Sequence, residues 1–271
     1  MGVFAKVYIL GMFIVGYVIF IEFFRYKKEI RPFLKYGMII GGFVIALDIF
    51  VAGYCLGIDG EIPFTHLLLL SFITFCKVIV FACVGLFCCT DLNLKGFPII
   101  RGIASGDSVK KMITKKYLYT SLGMAAFTIG FSMLLFAVTS PRLGPGFGEI
   151  VTMKRDIYQI DAKVSGLAAL MLIEIAFCEE IIYRLGVQNY IAKLFEFNVQ
   201  KTYWISILFT AILWTFGHAN TLDPQWVKVM QIFPLGIGLG VLFQKYGVES
   251  CILVHAVFNI AMMFFGQTFI S

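Results

Sequence analysis

The sequence predicts an all-α protein, a polytopic transmembrane helical bundle of about eight spans. Of the 271 residues, 60% are hydrophobic and only 14% are charged, and the mean hydropathy is +0.90. Soluble domains carry about 25% charged residues, so this chain has too few to cover a surface that faces water on all sides. Its apolar residues also fall in runs of the length that a membrane-spanning helix needs, about 20 residues. We therefore expect a multi-pass integral protein of the cell membrane.

Eight apolar runs predict the individual helices, and polar or glycine-containing segments separate them. Basic segments follow the first and third runs, and a glycine-rich loop at 140–164 follows the fourth. The polar break Glu196–Lys201 ends the fifth run, and Tyr246-Gly247 ends the seventh. The predicted spans are 7–24, 36–58, 67–90, 117–139, 165–195, 203–219, 229–244 and 250–270.

The basic residues predict the orientation of the bundle. Segments 25–36 and 91–116 hold eleven of them, and the connections that carry Lys193, Lys201 and Lys245 lie on the same side if alternate loops share a side. Cytoplasmic loops are enriched in Lys and Arg, so this side is expected to be cytoplasmic and both termini to lie outside. The net charge of +6 includes no long basic tract. We therefore expect the lipid bilayer as a partner and no nucleic acid.

Charged residues inside membrane helices are costly and call for an explanation. The fifth run has three of them near its centre, in the text Cys178-Glu179-Glu180-Ile181-Ile182-Tyr183-Arg184. Glu180 and Arg184 are four residues apart with the acid first, the favoured order for an ion pair on a helix. Glu179 lies about 100° around the helix and has no cation three or four residues later. It is therefore the candidate general base. Other charged residues within the runs occur singly and are expected to be structural: Glu22, Asp48, Lys77 and Glu174.

Two of the three histidines lie in apolar segments of the C-terminal half. His218 follows Trp214 by one helical turn, and His255 precedes Asn259 by one turn, so each pair projects from one helix face. Glu179 and His218 are each about 28–30 Å of helix from the break at Glu196–Lys201, so they can meet across a helical hairpin. His255, by contrast, is only about 12 Å of helix beyond the turn at Tyr246-Gly247. Helix length alone therefore does not predict that His255 reaches the depth of Glu179 and His218.

These late motifs resemble those of the CAAX protease and bacteriocin-processing (CPBP) family of intramembrane endopeptidases. The resemblance covers about 165–262. It lies in a double glutamate followed by three residues and an arginine, in an aromatic-xxx-His motif and in a His-xxx-Asn motif. The second motif commonly begins with phenylalanine in this family, whereas Trp214 stands there in this chain. The difference keeps an aromatic wall but could narrow the cavity for substrate.

The resemblance implies a role for each of these residues. Glu179 and His218 would deprotonate a water that attacks a peptide carbonyl, and His255 with Asn259 would stabilise the oxyanion. Three further residues would shape the site: Glu180, Arg184 and Trp214. The substrate would be a peptide or a prenylated protein that enters from the membrane or the cytoplasmic face. Residues 151–271 would form the peptidase core, and 1–150 would be transmembrane helices of unassigned role.

Two other functions stay open at this point. A zinc ion held by Glu179, His218 and His255 would also suit hydrolysis, although the HExxH helix spacing is absent. A non-catalytic bacteriocin-immunity or scaffold protein could use the same cavity to bind a peptide. No Walker loop, dinucleotide fingerprint or haem signature is present, so we expect neither a cofactor nor a bound metal. The sequence does not predict the oligomeric state.

Overall fold

The computed structural model describes residues 3–59, 64–108, 113–144 and 162–269, and most of them are helical. The N-terminal helices are α1 (Val3–Arg25), α2 (Leu34–Asp59), α3 (Phe64–Asp91), α4 (Pro98–Ala104) and α5 (Lys115–Thr139). Short helical turns at Lys27–Ile30 and Arg31–Phe33 precede α2. The C-terminal helices are α6 (Ala162–Glu180), α7 (Trp204–Gly217), α8 (Gln225–Tyr246) and α9 (Val248–Phe265). A 3₁₀ turn at Gly266–Thr268 follows α9.

The helix α6 continues without interruption beyond the two glutamates. It becomes a π-helix over Ile181–Gln188 and returns to α-helical turns over Asn189–Leu194. We call this whole segment, residues 162–194, the motif helix. It reaches the break at Glu196–Lys201 as the sequence predicted.

The predicted fold class is confirmed, since a helix occupies each of the eight apolar runs. Within the described ranges, six helical segments are long and apolar enough to cross a membrane. The two remaining runs are the motif helix, which carries the charged residues, and α7, which has only 14 residues. The boundary predicted between residues 150 and 151 lies outside the described residues. The six segments are Val3–Arg25, Lys27–Phe50, Ser71–Asp91, Lys115–Thr139, Gln225–Tyr246 and Val248–Phe265.

The connections between helices alternate between two ends of the bundle. At one end Lys193 bonds to Asp91. The backbone amide of Val248 donates to the Gly96 carbonyl at 3.0 Å, and the side-chain carboxamide of Gln244 donates to the Val199 carbonyl at 2.6 Å. We call this end, formed by 26–36, 91–108, 193–203 and 245–249, the lysine-rich face.

The opposite end holds a small antiparallel pairing of two short strands. Strand β1 (Arg142–Leu143) pairs with β2 (Leu222–Asp223), and the Gly144 amide donates to the Thr221 carbonyl at 3.0 Å. The ring of Phe4 at the start of α1 lies 5.2 Å from that of Phe216. We call this end, formed by 139–144, 218–226 and 266–269, the His218 face. Alternate connections thus share a side, as the charge argument assumed.

The motif helix lies at the centre of the bundle, and its π-helical segment is buried along its whole length. A π-helix shifts the backbone hydrogen bonds by one residue, which leaves carbonyls near the shift in need of donors. The buried Asn189 carboxamide supplies them to the carbonyls of Arg184 and Leu185 at 3.0 and 2.8 Å. Tyr203 joins this network by donating to Asn189 Oδ1 at 2.6 Å and accepting from Gln188. These bonds close the hairpin between the motif helix and α7.

Helix α3 packs against the π-helical segment at a glycine. A Cβ added to Gly85 would lie 2.4 Å from the carbonyl oxygen of Leu185, a backbone atom that cannot rotate away. We expect Gly85→Ala to destabilise the protein by at least about 1–3 kcal/mol, the usual cost of overpacking. Gly42→Ala is the matched control, because a Cβ there has nothing within 4 Å. Thermal unfolding in detergent measures both, and equal unfolding midpoints would contradict this packing.

Candidate active site

Glu179 and Trp214 form the first contact of the site, between the motif helix and α7. The indole Nε1–H of Trp214 donates to Glu179 Oε2 at 2.6 Å. The Trp214 ring is buried, whereas the Glu179 side chain keeps 26% of its surface exposed. The carboxylate is therefore held by a fixed donor and is still open to a substrate or to water.

His218 lies directly beyond the last residue of α7, where the helix leaves carbonyls unpaired. Its Nδ1 is 3.0 Å from the carbonyl oxygen of Trp214, and the two rings meet edge to face at 4.9 Å between centroids. A carbonyl can only accept, so Nδ1 carries the proton and Nε2 of the neutral ring has the free lone pair. His218 also has Glu179 as a charged neighbour. The structure thus brings Glu179 and His218 together, as the equal helix lengths predicted.

Glu180 is buried and links two other side chains. Its Oε1 accepts from His255 Nδ1 at 2.8 Å, and its Oε2 lies 3.4 Å from Arg184 Nε. The predicted Glu180–Arg184 ion pair is confirmed, and both side chains are fully buried. The Arg184 guanidinium also lies over the Trp214 ring, 4.8 Å from its centroid. This cation–π contact joins the ion pair to the wall of the site.

His255 reaches the site, which the count along the helices did not predict. Its Nε2 lies 3.9 Å from Glu179 Oε2, and its ring is 5.2 Å from that of Trp214. The count assumed that the turn at Tyr246-Gly247 lies at the bundle surface, but Gly247 is packed under Lys95 and Pro98 and Val248 is fully buried. Helix α9 therefore begins within the bundle, and eight residues bring His255 to the depth of Glu180.

Asn259 follows His255 by one turn of α9 and is half-buried. Its carboxamide makes no hydrogen bond to any residue that the structure describes, so both of its N–H groups are free to donate. A free donor one helical turn from His255 is suited to a negative charge that develops during a reaction.

Sequence reasoning missed two contributors to the site. Lys228 lies outside the predicted span 229–244, but α8 begins at Gln225, so the lysine is in the first turn of this helix. It interacts electrostatically with Glu179 and His218. Its ammonium donates to Gln231 Oε1 at 2.9 Å. Tyr8 of α1 shares a 2.7 Å hydrogen bond with Tyr183, beside the motif glutamates. Neither residue has a local sequence signal that would point to the site.

Two comparisons identify the class of protein. Residues 162–261 match the family described as "Type II CAAX prenyl endopeptidase Rce1-like". The chain is also 32% identical over 100 residues to "Sporulation-killing factor biosynthesis protein SkfC" of Bacillus subtilis (strain 168). That alignment covers 34% of this chain and 18% of the relative, so the chain spans a small part of that protein's length. No solved structure matches the chain.

The matched segment contains every residue of the site described above except Tyr8. Residues 162–261 are therefore similar to the type II CAAX prenyl endopeptidases, a family of membrane proteins. With six apolar helices in the part of the chain that the structure describes, this is a multi-pass protein of the cell membrane. The family assignment predicted from the late motifs is confirmed.

Proposed function

We propose that this chain is a metal-independent intramembrane endopeptidase in which Glu179 and His218 activate water. The observation that carries the proposal is the placement of Glu179. Its carboxylate is partly exposed, accepts from Trp214 at 2.6 Å, lies 3.9 Å from the Nε2 of His255 and interacts electrostatically with His218. The match of residues 162–261 to an endopeptidase family supports hydrolysis of a peptide bond as the reaction.

Water activation follows from the tautomer of His218. Because its Nδ1–H is directed to the Trp214 carbonyl, its Nε2 lone pair can accept a proton from water. Glu179 supplies a second acceptor for the same water. In the reaction, the water oxygen bonds to the scissile carbonyl carbon and its proton passes to this Glu179–His218 pair.

Oxyanion stabilisation is assigned to His255 and Asn259. Glu180 holds Nδ1 of His255, so the ring presents Nε2 to the space next to Glu179. When Nε2 is protonated, it donates to the oxyanion together with the free carboxamide of Asn259. The C–N bond then breaks, and the leaving amine takes the proton from the Glu179–His218 pair.

Two alternatives make different predictions. Among the described residues no group of three or more His, Cys, Asp and Glu side chains is arranged to hold a metal ion. A zinc enzyme would lose its activity to a chelator, whereas a Glu179-dependent peptidase would keep it. A non-catalytic immunity or scaffold protein would keep its function without the Glu179 carboxylate. The word "biosynthesis" in the relative's name supports a role in making a factor over a role in binding one.

The experiment compares peptides from the native host carrying either the wild-type chain or Glu179→Ala. The two forms are matched for abundance in the membrane, and both secreted and membrane-associated peptides are measured. We expect one processed peptide to disappear in the variant, which also identifies the substrate. Unchanged peptide profiles with a complemented host phenotype would overturn the peptidase function and support binding or immunity.

Trp214→Phe tests the fixed donor at Glu179. Phenylalanine keeps an aromatic ring over Arg184 but removes the indole N–H, and a hydrogen bond to a charged group contributes about 1.5–3 kcal/mol. We expect the processing rate to fall about 10- to 100-fold. The unfolding midpoint should fall as well, because the smaller ring leaves a cavity at a fully buried position. Trp204→Phe is the matched control, since Trp204 is exposed at the other end of α7. Equal rates for the two variants would show that this donor contributes nothing to the reaction.

A further inference from the structure

The two ends of the bundle give unequal access to the site. Towards the lysine-rich face, every residue from 181 to 192 is buried, and Arg184, Gln188 and Asn189 have no exposed surface. Towards the other end, Glu179 is 26% exposed and His218 is half-buried. The segment that follows His218 becomes exposed from Asp223 to Trp226. Among the described residues, the site is therefore closed towards the lysine-rich face and more accessible towards the His218 face.

The charges of the described residues differ strongly between these two ends. The lysine-rich end carries Arg25, Lys27, Lys28, Arg31, Lys35, Lys95, Arg101, Lys115, Lys116, Lys193, Lys201 and Lys245. The other end carries Lys6, Arg142 and Lys228. Excess Lys and Arg in short connections marks the cytoplasmic side of a membrane protein. The lysine-rich face is thus the cytoplasmic one, and the His218 face is directed outward.

We infer that the site takes water and substrate from the outer face of the membrane, so that its substrate is a peptide exported before cleavage. The inference rests on the proposed peptidase function and selects between its two substrate classes. A prenylated protein tail is attached at the cytoplasmic surface and would meet the closed side of the site. A membrane-translocated peptide presents its scissile bond at the more accessible side. The step that supplies the substrate is therefore translocation across the membrane. This differs from the sequence-based expectation, which was entry from the membrane or the cytoplasmic face.

Two glutamines at opposite ends provide a matched test of the orientation. Gln225 is exposed at the start of α8 on the His218 face, and Gln200 is exposed in the turn before α7 on the lysine-rich face. Gln225→Cys and Gln200→Cys are each treated with a membrane-impermeant maleimide in intact cells and in permeabilised cells. Labelling of the wild-type chain, with its native cysteines, is subtracted.

We expect Gln225→Cys to label in intact cells at least tenfold more strongly than Gln200→Cys, which should label only after permeabilisation. The reverse pattern would overturn the inference. The same pair of substitutions in a Glu179→Gln chain should label identically, because orientation does not depend on catalysis. The labelling experiment therefore tests the orientation separately from the proposed peptidase function.

The location of the unprocessed peptide gives an independent readout. In host cells that carry Glu179→Gln, the precursor should accumulate in a form that a protease added to intact cells digests. A precursor that stays protected until the cells are lysed would contradict entry from the outer face.

Discussion

A chain that carries Glu179→Gln is expected to fold normally but to cleave its peptide at least about a hundredfold more slowly than the wild-type chain. General acid–base groups contribute about 10²- to 10⁴-fold to catalysis, and the amide cannot take a proton from water. Its carbonyl oxygen can still accept from Trp214 Nε1, so the 2.6 Å contact that anchors this side chain is retained. The measurement is the initial rate of cleavage of the identified peptide by purified protein in detergent.

Glu29→Gln is the matched control for this prediction. Glu29 is exposed on the lysine-rich face, far from the motif helix in sequence, and the same loss of charge there should leave the rate unchanged. A Glu179→Gln chain that cleaves as fast as the Glu29→Gln chain would remove Glu179 from the mechanism. A Glu179→Gln chain with a lowered unfolding midpoint would show a structural contribution from the carboxylate.

Arg184→Met is expected to destabilise the fold by about 3–5 kcal/mol, since it breaks a buried ion pair and leaves one charge without its partner. Arg184 and Glu180 are both fully buried, and the guanidinium also packs on the Trp214 ring. Glu180 would then keep only the contact to His255 at 2.8 Å. The unfolding midpoint in detergent and the membrane abundance measure the loss.

The ion pair can be separated from general effects of the arginine by two further variants. Arg101→Met removes an exposed arginine from α4 and should leave the midpoint within the error of the wild type. A double variant, Glu180→Leu with Arg184→Met, should recover part of the lost stability because no unpaired charge is left in the interior. Equal midpoints for Arg184→Met and Arg101→Met would contradict a buried, interacting pair.

The fold class and one half of the site could be predicted from the sequence. Apolar runs of about 20 residues specify membrane helices, and equal helix lengths on both sides of Glu196–Lys201 placed Glu179 beside His218. The spacing of Glu180 and Arg184 on one helix face gave their ion pair. These predictions succeeded because they depend on helix geometry and on contacts close in sequence.

The other half of the site depends on contacts between distant segments, which periodicity does not specify. His255 reaches Glu179 because the turn at Gly247 is buried under Lys95 and Pro98, and no local pattern shows the depth of a turn. The π-helix at Ile181–Gln188 has the composition of an ordinary helix. The hydrogen bond from Tyr8 to Tyr183 joins residues 175 positions apart, and no local pattern indicates it.

The most direct test of Glu179-dependent, metal-independent hydrolysis is cleavage of the identified peptide by the purified chain in the presence of a zinc chelator. The Glu179–His218 mechanism predicts that the wild-type chain cleaves at its full rate and that the Glu179→Gln chain does not cleave. Cleavage that stops with the chelator and returns only when zinc is added would contradict it.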